Sequence, residues 1–414
     1  MNHLMLSSIL LLSFAVRAES FADQEWVRVR LDHGLTQLEI HGRGLQVQGE
    51  EQVAQPVSIP SQKEEQLNIT HVLKNGQWLW KVVILRPGQR NEIDTRIIGH
   101  PYMTILGSSI QRGTQALPNH LLLAGKKTFS LIAGEHLRDY LYGVVAKEMP
   151  IQWPLEALKA QTIAARSYAK AMMREHAHRP YQLESSILDQ VYEKFDDQNF
   201  RNPKMEKVIR AVSETAGMIL LGKDHQVLKA YYHADCGGKT SSSQSVFGTR
   251  GLEGGVVDSS CPLNPKAKWS YHISKENLSQ RLKRFFHASD EFLGVSALTL
   301  KFLPQDERVS EVVVKIDDGE TRAIKAQEFR DLLGFQDLRS TRFQMQQTSK
   351  EFVFSGTGFG HGVGLCQWGS RNLAQQGLKF QQILTHYYPG MALKAAENLY
   401  SKKADSADDH YVFD

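Results

Sequence analysis

Glu148 is the residue whose neighbours best prepare it to move a proton. It lies in the corner Ala146-Lys147-Glu148-Met149-Pro150. The apolar residues before it, Leu137, Tyr140, Leu141, Val144 and Val145, fall at i, i+3, i+4, i+7 and i+8 of one helix face. Pro150 stops that helix. A carboxylate at a helix C-terminus faces unpaired carbonyls, so its proton is held more tightly. Met149, Pro150, Ile151, Trp153 and Pro154 supply an apolar wall that pushes the same way. These positions describe a general acid, or else an ordinary solvated Glu beside a helix stop.

Two later segments carry further reactive types. The run Gly356-Thr357-Gly358-Phe359-Gly360-His361-Gly362-Val363-Gly364 lacks the flanking strand, long helix and downstream acid of a dinucleotide site. No Gly-Lys-Ser/Thr follows it, which excludes a P-loop. Its glycines allow close backbone approach to a ligand with His361 exposed among them, or form a tight multi-turn connection. The other segment is Tyr231-Tyr232-His233-Ala234-Asp235-Cys236-Gly237-Gly238, with Cys261 downstream. His233, Cys236, Cys261 and His272 make four zinc-ligand types, but the spacers are too long for a usual structural site. In an oxidising compartment, three cysteines predict one disulfide, Cys236–Cys261, and a leftover Cys366; free thiols are the remaining reading. A nucleophilic Cys366 near His361 requires a lowered thiol pKa.

The elements that position these residues follow from patterning. Val27, Val29 and Leu31, then Leu38, Ile40, Leu45 and Val47, alternate as short strands. Strands are also expected at 78–85, 121–123, 128–132, 218–221, 227–233, 298–302, 311–316 and 352–354. The polar stretch 55–75 reads as a loop. Two helices meet at the Glu148 corner, the second over 155–174 with Pro154 at its first turn. Short helices are expected at 327–333, 371–376 and 380–387. The fold class is α+β, with β-rich segments flanking a helical insertion that carries Glu148.

Composition narrows the function. The 414 residues are 41% hydrophobic and 23% charged, with 31 glycines, as in globular chains. A net charge of +4 gives no field for nucleic acid. A mean hydropathy of −0.36 excludes a polytopic membrane protein. Residues 4–15 form an apolar run too short to span a bilayer, followed by Val16-Arg17-Ala18, so 1–18 read as a signal peptide. No Cys follows that point to take a lipid, and no integral span is expected after cleavage. The expected divisions are a β-rich part over 19–134, a core over 135–395 and a polar tail over 396–414.

Several ordered blocks resemble the SpoIID/LytB family. Leu141 to Pro150 and Trp153 to Ala169 resemble its hallmark. Asp189-Gln190-Val191-Tyr192, Tyr232-His233 with Cys236-Gly237-Gly238-Lys239-Thr240, and Gly360 to Gly364 with Gln367-Trp368-Gly369 are similar to its later blocks. Ile383 to Gly390 closes the series. The resemblance implies a peptidoglycan lytic transglycosylase that cuts between N-acetylmuramic acid and N-acetylglucosamine, with Glu148 as the catalytic acid and denuded glycan as substrate. It implies no metal and no cofactor, glycan strands as partner, and export to a periplasm or cell wall. Gln161, Arg166, Tyr168, Gln190, Tyr192, His233, His361 and Gln367 are then expected to line the sugar groove. Cys366 departs from the family, which often has Ser there, and reads as a small buried residue. Two rivals follow: a non-catalytic wall-binding enhancer of an amidase, and a hydrolase with a second carboxylate such as Asp189 or Asp235.

Overall fold

The computed structural model describes residues 23–49, 64–86, 92–186, 189–252, 255–261, 264–288, 294–304, 306–317 and 319–395. The signal segment, residues 55–63 of the expected loop and the tail lie outside these. The described residues fall into two compact units, one through Ile219 and again from Leu393, the other Leu220–Ala392. At residues 134 and 135 the chain is within a strand that runs straight into the first helix.

The first unit is built on a sheet of β1 (Trp26–Leu35), β2 (Gln37–Gln48), β3 (Glu64–Lys74), β4 (Gln77–Leu85), β5 (Glu92–Ile98), β6 (Tyr102–Arg112), β7 (Gln115–Ala116), β8 (His120–Gly125) and β9 (Phe129–His136). Its order is β1-β9-β8-β6-β2-β3-β4-β5, antiparallel throughout, with β7 against β6. Alternation puts Leu38, Ile40, Leu67, Ile69, Trp80 and Val82 into one core with Ile105 and Phe129. β3 overturns the loop expected over 55–75: Leu67 and Ile69 alternate with Gln66, Asn68 and Thr70, a half-buried strand whose outer face is polar.

Helix α1 (Leu137–Glu148) starts on the residue after β9. Its N-cap, His136, makes no side-chain cap. Instead the amides of Leu137 and Arg138 donate to the carbonyls of Glu25 and Asp23, at 2.8 and 3.1 Å, so the chain's own start satisfies the helix end. Helix α2 (Leu155–Glu175) packs against α1 and against α4 (Glu206–Ser213), which follows α3 (Asp197–Arg201). Its alanines let the neighbours approach closely, and 157–158, 160–169 and 171–172 are buried. β10 (Leu183–Glu184) adds in parallel to β1. No helix among the described residues is long and apolar enough to cross a membrane.

Strand β11 (Met218–Leu221) spans the division, and the second unit holds the short helix α5 (Ser243–Phe247) and two three-stranded antiparallel sheets. One joins β13 (Lys268–Ser274), β18 (Glu351–Thr357) and β17 (Phe343–Gln347). The other is β14 (Val295–Phe302), β15 (Val309–Ile316) and β16 (Thr321–Lys325). Leu278 and Leu282 of α6 (Lys275–Phe285) and Phe329 of α7 (Ala326–Leu333) share one core with Val312, Phe352 and Phe354. A parallel pair, β12 (Tyr232–His233) and β19 (Leu365–Cys366), precedes α8 (Gln367–Gln375) and α9 (Phe380–Tyr387). The strand expected over 227–233 shrinks to β12. The class is α+β.

Candidate active site

Glu148 is the last residue of α1 and is half-buried. The Val191 amide donates to its Oε1 at 2.8 Å. The loop that carries Val191 is bracketed on both sides. Tyr140, one face of α1 below Glu148, donates its hydroxyl to Gln190 Oε1 at 2.7 Å, and Gln190 Nε2 donates to the Ala165 carbonyl at 3.2 Å. Tyr192 donates to Glu135 Oε2 at 2.8 Å, and Lys194 reaches both Glu135 oxygens. Burial raises the Glu135 carboxyl above its ordinary value against the pull of Lys194. Burial, then the nearby carboxylates of Asp189 and Glu148, keep the Tyr140 phenol protonated. Gly143 makes the bracket possible, since a Cβ there would lie 2.1 Å from the Glu193 carbonyl and 2.9 Å from the Tyr192 ring.

The residues expected to line a groove are placed differently from one another. Gln190 and Tyr192 are buried supports under the Glu148 loop. Tyr168 is also buried and donates to Asp189 Oδ1 at 2.7 Å. Gln161 is fully buried in α2. Arg166 corrects the expectation most clearly: its side chain has no exposure, and its Nε pairs with Asp23 at 2.9 Å. Its other nitrogens donate to Thr215 and to the carbonyls of Val212 and Met218. It is a core anchor, and Asp23 is the partner that sequence reasoning missed.

In the second unit, His233 and His361 stand edge to face at 5.4 Å, and His361 also meets Phe247 at 5.1 Å. His361 is half-buried, and its Nδ1 accepts from the Val363 amide at 3.0 Å. His233 Nδ1 faces the Val363 carbonyl at 3.0 Å. Burial lowers both imidazoles, His233 to about 3, so both are neutral. Gln367 is buried at the first turn of α8. The glycine run approaches the chain's own backbone: a Cβ on Gly364 would sit 2.0 Å from the Tyr231 carbonyl.

The expected Cys236–Cys261 disulfide is not formed; all three cysteines are free and buried. Three sulfurs share one pocket with no pair singled out, and Cys261 Sγ lies 3.6 Å from Cys366 Sγ. His272 is exposed on β13 and faces Glu351, so the four-ligand set drawn with it does not assemble. The buried Cys366 thiol is pushed up, the opposite of an activated nucleophile.

Residues 126–221 match the protein-family model described as stage II sporulation protein, and 262–364 match a domain of unknown function. An uncharacterized protein of Brachyspira hyodysenteriae is 32% identical over 259 residues, 62% of this chain and 66% of its own length. Stage II sporulation protein D of Bacillus amyloliquefaciens is 27% identical over 277 residues, 64% of this chain and 76% of the relative. The amidase enhancer of Bacillus subtilis is 25% identical over 297 residues, 61% of this chain but only 40% of that protein. These matches give residues 126–221 of this chain as a SpoIID domain, and its relatives include stage II sporulation protein D.

Proposed function

We propose that this chain acts on the cell wall as an exported peptidoglycan lytic transglycosylase, with Glu148 as its single general acid and base. The observation that carries the reading is the Glu148 corner itself: an intact hallmark block folded so that a half-buried carboxyl is oriented by the Val191 amide. In the first step the Glu148 carboxyl gives its proton to the glycosidic oxygen, and the bond from C1 of N-acetylmuramic acid to that oxygen breaks. The resulting carboxylate then takes the proton of the muramoyl 6-hydroxyl. That oxygen bonds to C1, giving a 1,6-anhydro end with no water consumed.

A second carboxylate is what a hydrolase would add. Asp189 accepts from Tyr168 on one oxygen and from the Glu184 amide, at 2.8 Å, on the other. Asp235 is engaged by Cys261, Gly237 and Asn264. Both are committed within the protein, which favours the one-carboxylate route. The amidase-enhancer relative supports a different reading, in which the chain binds wall and stimulates an amidase.

The test is a digest of purified peptidoglycan, intact and amidase-denuded, with wild-type and Glu148→Gln protein, read by mass spectrometry. Anhydro-ended fragments that vanish with Glu148→Gln are expected. Reducing muramic ends would turn the reading to a hydrolase. No cleavage, with retained binding to wall and stimulation of an amidase, would replace the enzyme with the enhancer.

A further inference from the structure

We propose that Cys236, Cys261, Cys366 and Asp258 hold one structural zinc ion, a site independent of the cleavage reading. One ligand atom from each of the four lies within 4.8 Å of every other, and all four residues are buried. Two of the six separations match the edges of a zinc tetrahedron. Zn–S bonds of ~2.3 Å place sulfurs about 3.8 Å apart and a carboxylate oxygen about 3.5 Å from each sulfur. Here Cys261 Sγ to Cys366 Sγ is 3.6 Å, and Cys236 Sγ to Asp258 Oδ2 is 3.4 Å.

Hydrogen-bond donors surround the sulfurs, as metal-bound thiolates require and an apolar thiol cluster does not. Backbone amides point at sulfur: Cys236 and Gly369 at Cys366 Sγ, at 3.3 and 3.4 Å, and Gly238 at Cys236 Sγ, at 3.4 Å. Asp258 is locked by a second layer, its Oδ2 accepting from Tyr387 at 2.7 Å and its Oδ1 from the amides of Ser260 and Cys261. Gly369 is required for that layer, because a Cβ there would come 1.9 Å from the Tyr387 hydroxyl and 2.2 Å from Asp258 Oδ2. A disulfide uses two sulfurs and gives no role to a buried carboxylate placed among three. A divalent cation uses all four groups. Arg308, fully buried and donating to the Cys236 carbonyl at 2.7 Å, offsets part of the remaining negative charge.

The four ligands close the site, leaving no position for substrate, so its role is structural. It joins Cys236, three residues past β12, with the 258–261 turn and the N-cap of α8, segments up to 130 residues apart. Loading releases three thiol protons as the sulfurs become thiolates.

The full chain, exported and purified without chelator, should carry about one zinc by plasma mass spectrometry. A mercurial should release it as three cysteine sulfurs are titrated. Replacement by Co(II) should give sulfur-to-cobalt charge-transfer absorption. Cys366→Ser should weaken zinc at least tenfold in competition with a chromophoric chelator. If that variant does not fold, Tyr387→Phe removes only the hydroxyl that holds Asp258 and should weaken zinc by about tenfold. Intact masses showing a disulfide between any two of the three cysteines would overturn the site. So would a reduced, folded protein that takes up neither Zn(II) nor Co(II).

Discussion

The two polar centres of this protein are built on opposite plans. Around Glu148 the groups are carboxyl, amide and phenol, each handed to the next by the α1 face and the 190–192 loop, and the carboxyl itself is half-buried. Around Cys236, Asp258, Cys261 and Cys366 everything is sealed, and the polar groups point at one another. A group that must meet a substrate has to stay reachable, and its supports have to hold it without consuming it. A group that holds the fold together gains from complete burial, provided its charge is compensated. The two centres should therefore fail differently when disturbed.

The largest effect should come from Glu148→Gln. Cleavage should fall about 10²–10⁴-fold, or about 3–5 kcal/mol of activation, while the urea midpoint stays put. A large loss of stability in this variant would erase the contrast between the centres. Gly143→Ala tests the bracket beneath it. Its new methyl meets backbone, so about 1–3 kcal/mol of stability should be lost together with activity, because the 190–193 loop must move. An alanine variant that keeps both would show that the loop does not position Glu148.

The second unit should respond to acid instead. His233 titrates near 6.5 when unfolded but at about 3 when folded, lowered first by burial and then by Arg308. His361 is lowered as well, by burial first and then by its neighbours His233, Arg330 and Arg308. A depressed folded pKa means that stability is fully present above pH 6.5 and drains away as pH falls toward 3. His233 contributes a slope of up to about 1.4 kcal/mol per pH unit, or about 2 kcal/mol between pH 6.5 and 5. Urea midpoints across that range should fall, and His233→Gln should flatten the curve; an unchanged slope would remove His233 from the account. The smallest effect is expected from Asp189→Asn, which keeps an acceptor for Tyr168. About 1 kcal/mol of stability should go, with cleavage within about threefold of wild type. A loss as deep as that of Glu148→Gln would instead mean two-carboxylate chemistry.

The helix pair was legible in the sequence because its signals are local. Apolar spacing marks the face of α1, Pro150 and Pro154 mark the corner, and the alanines mark α2. Strand β3 was hidden because Leu67 and Ile69 sit among Gln, Asn and Thr, so its polarity outweighed its alternation. Side-chain roles were harder. Gln190 and Tyr192 lie in a later block than Glu148, and only the fold shows that they support the loop against it. The Arg166–Asp23 pair spans 143 residues, and no local pattern announces a partner that distant. Asp258 lies three residues before Cys261, where its side chain caps the intervening turn. Its approach to Cys236 and Cys366 depends on how separate segments meet.

The Arg166–Asp23 pair also bears on where this protein can be cut. The family-matched stretch 126–221 contains Arg166 and both helices, yet leaves out Asp23, the carbonyls that cap α1 and the strand that flanks β9. Expressed alone, that stretch would bury a guanidinium without its counter-ion, a loss of about 3–5 kcal/mol before the missing strand is counted. The family-matched stretch is thus not the folding unit. Asp23 and the Glu25 carbonyl belong to the support of the helix pair that carries Glu148, and a chain trimmed through residue 23 would lose the counter-ion of Arg166.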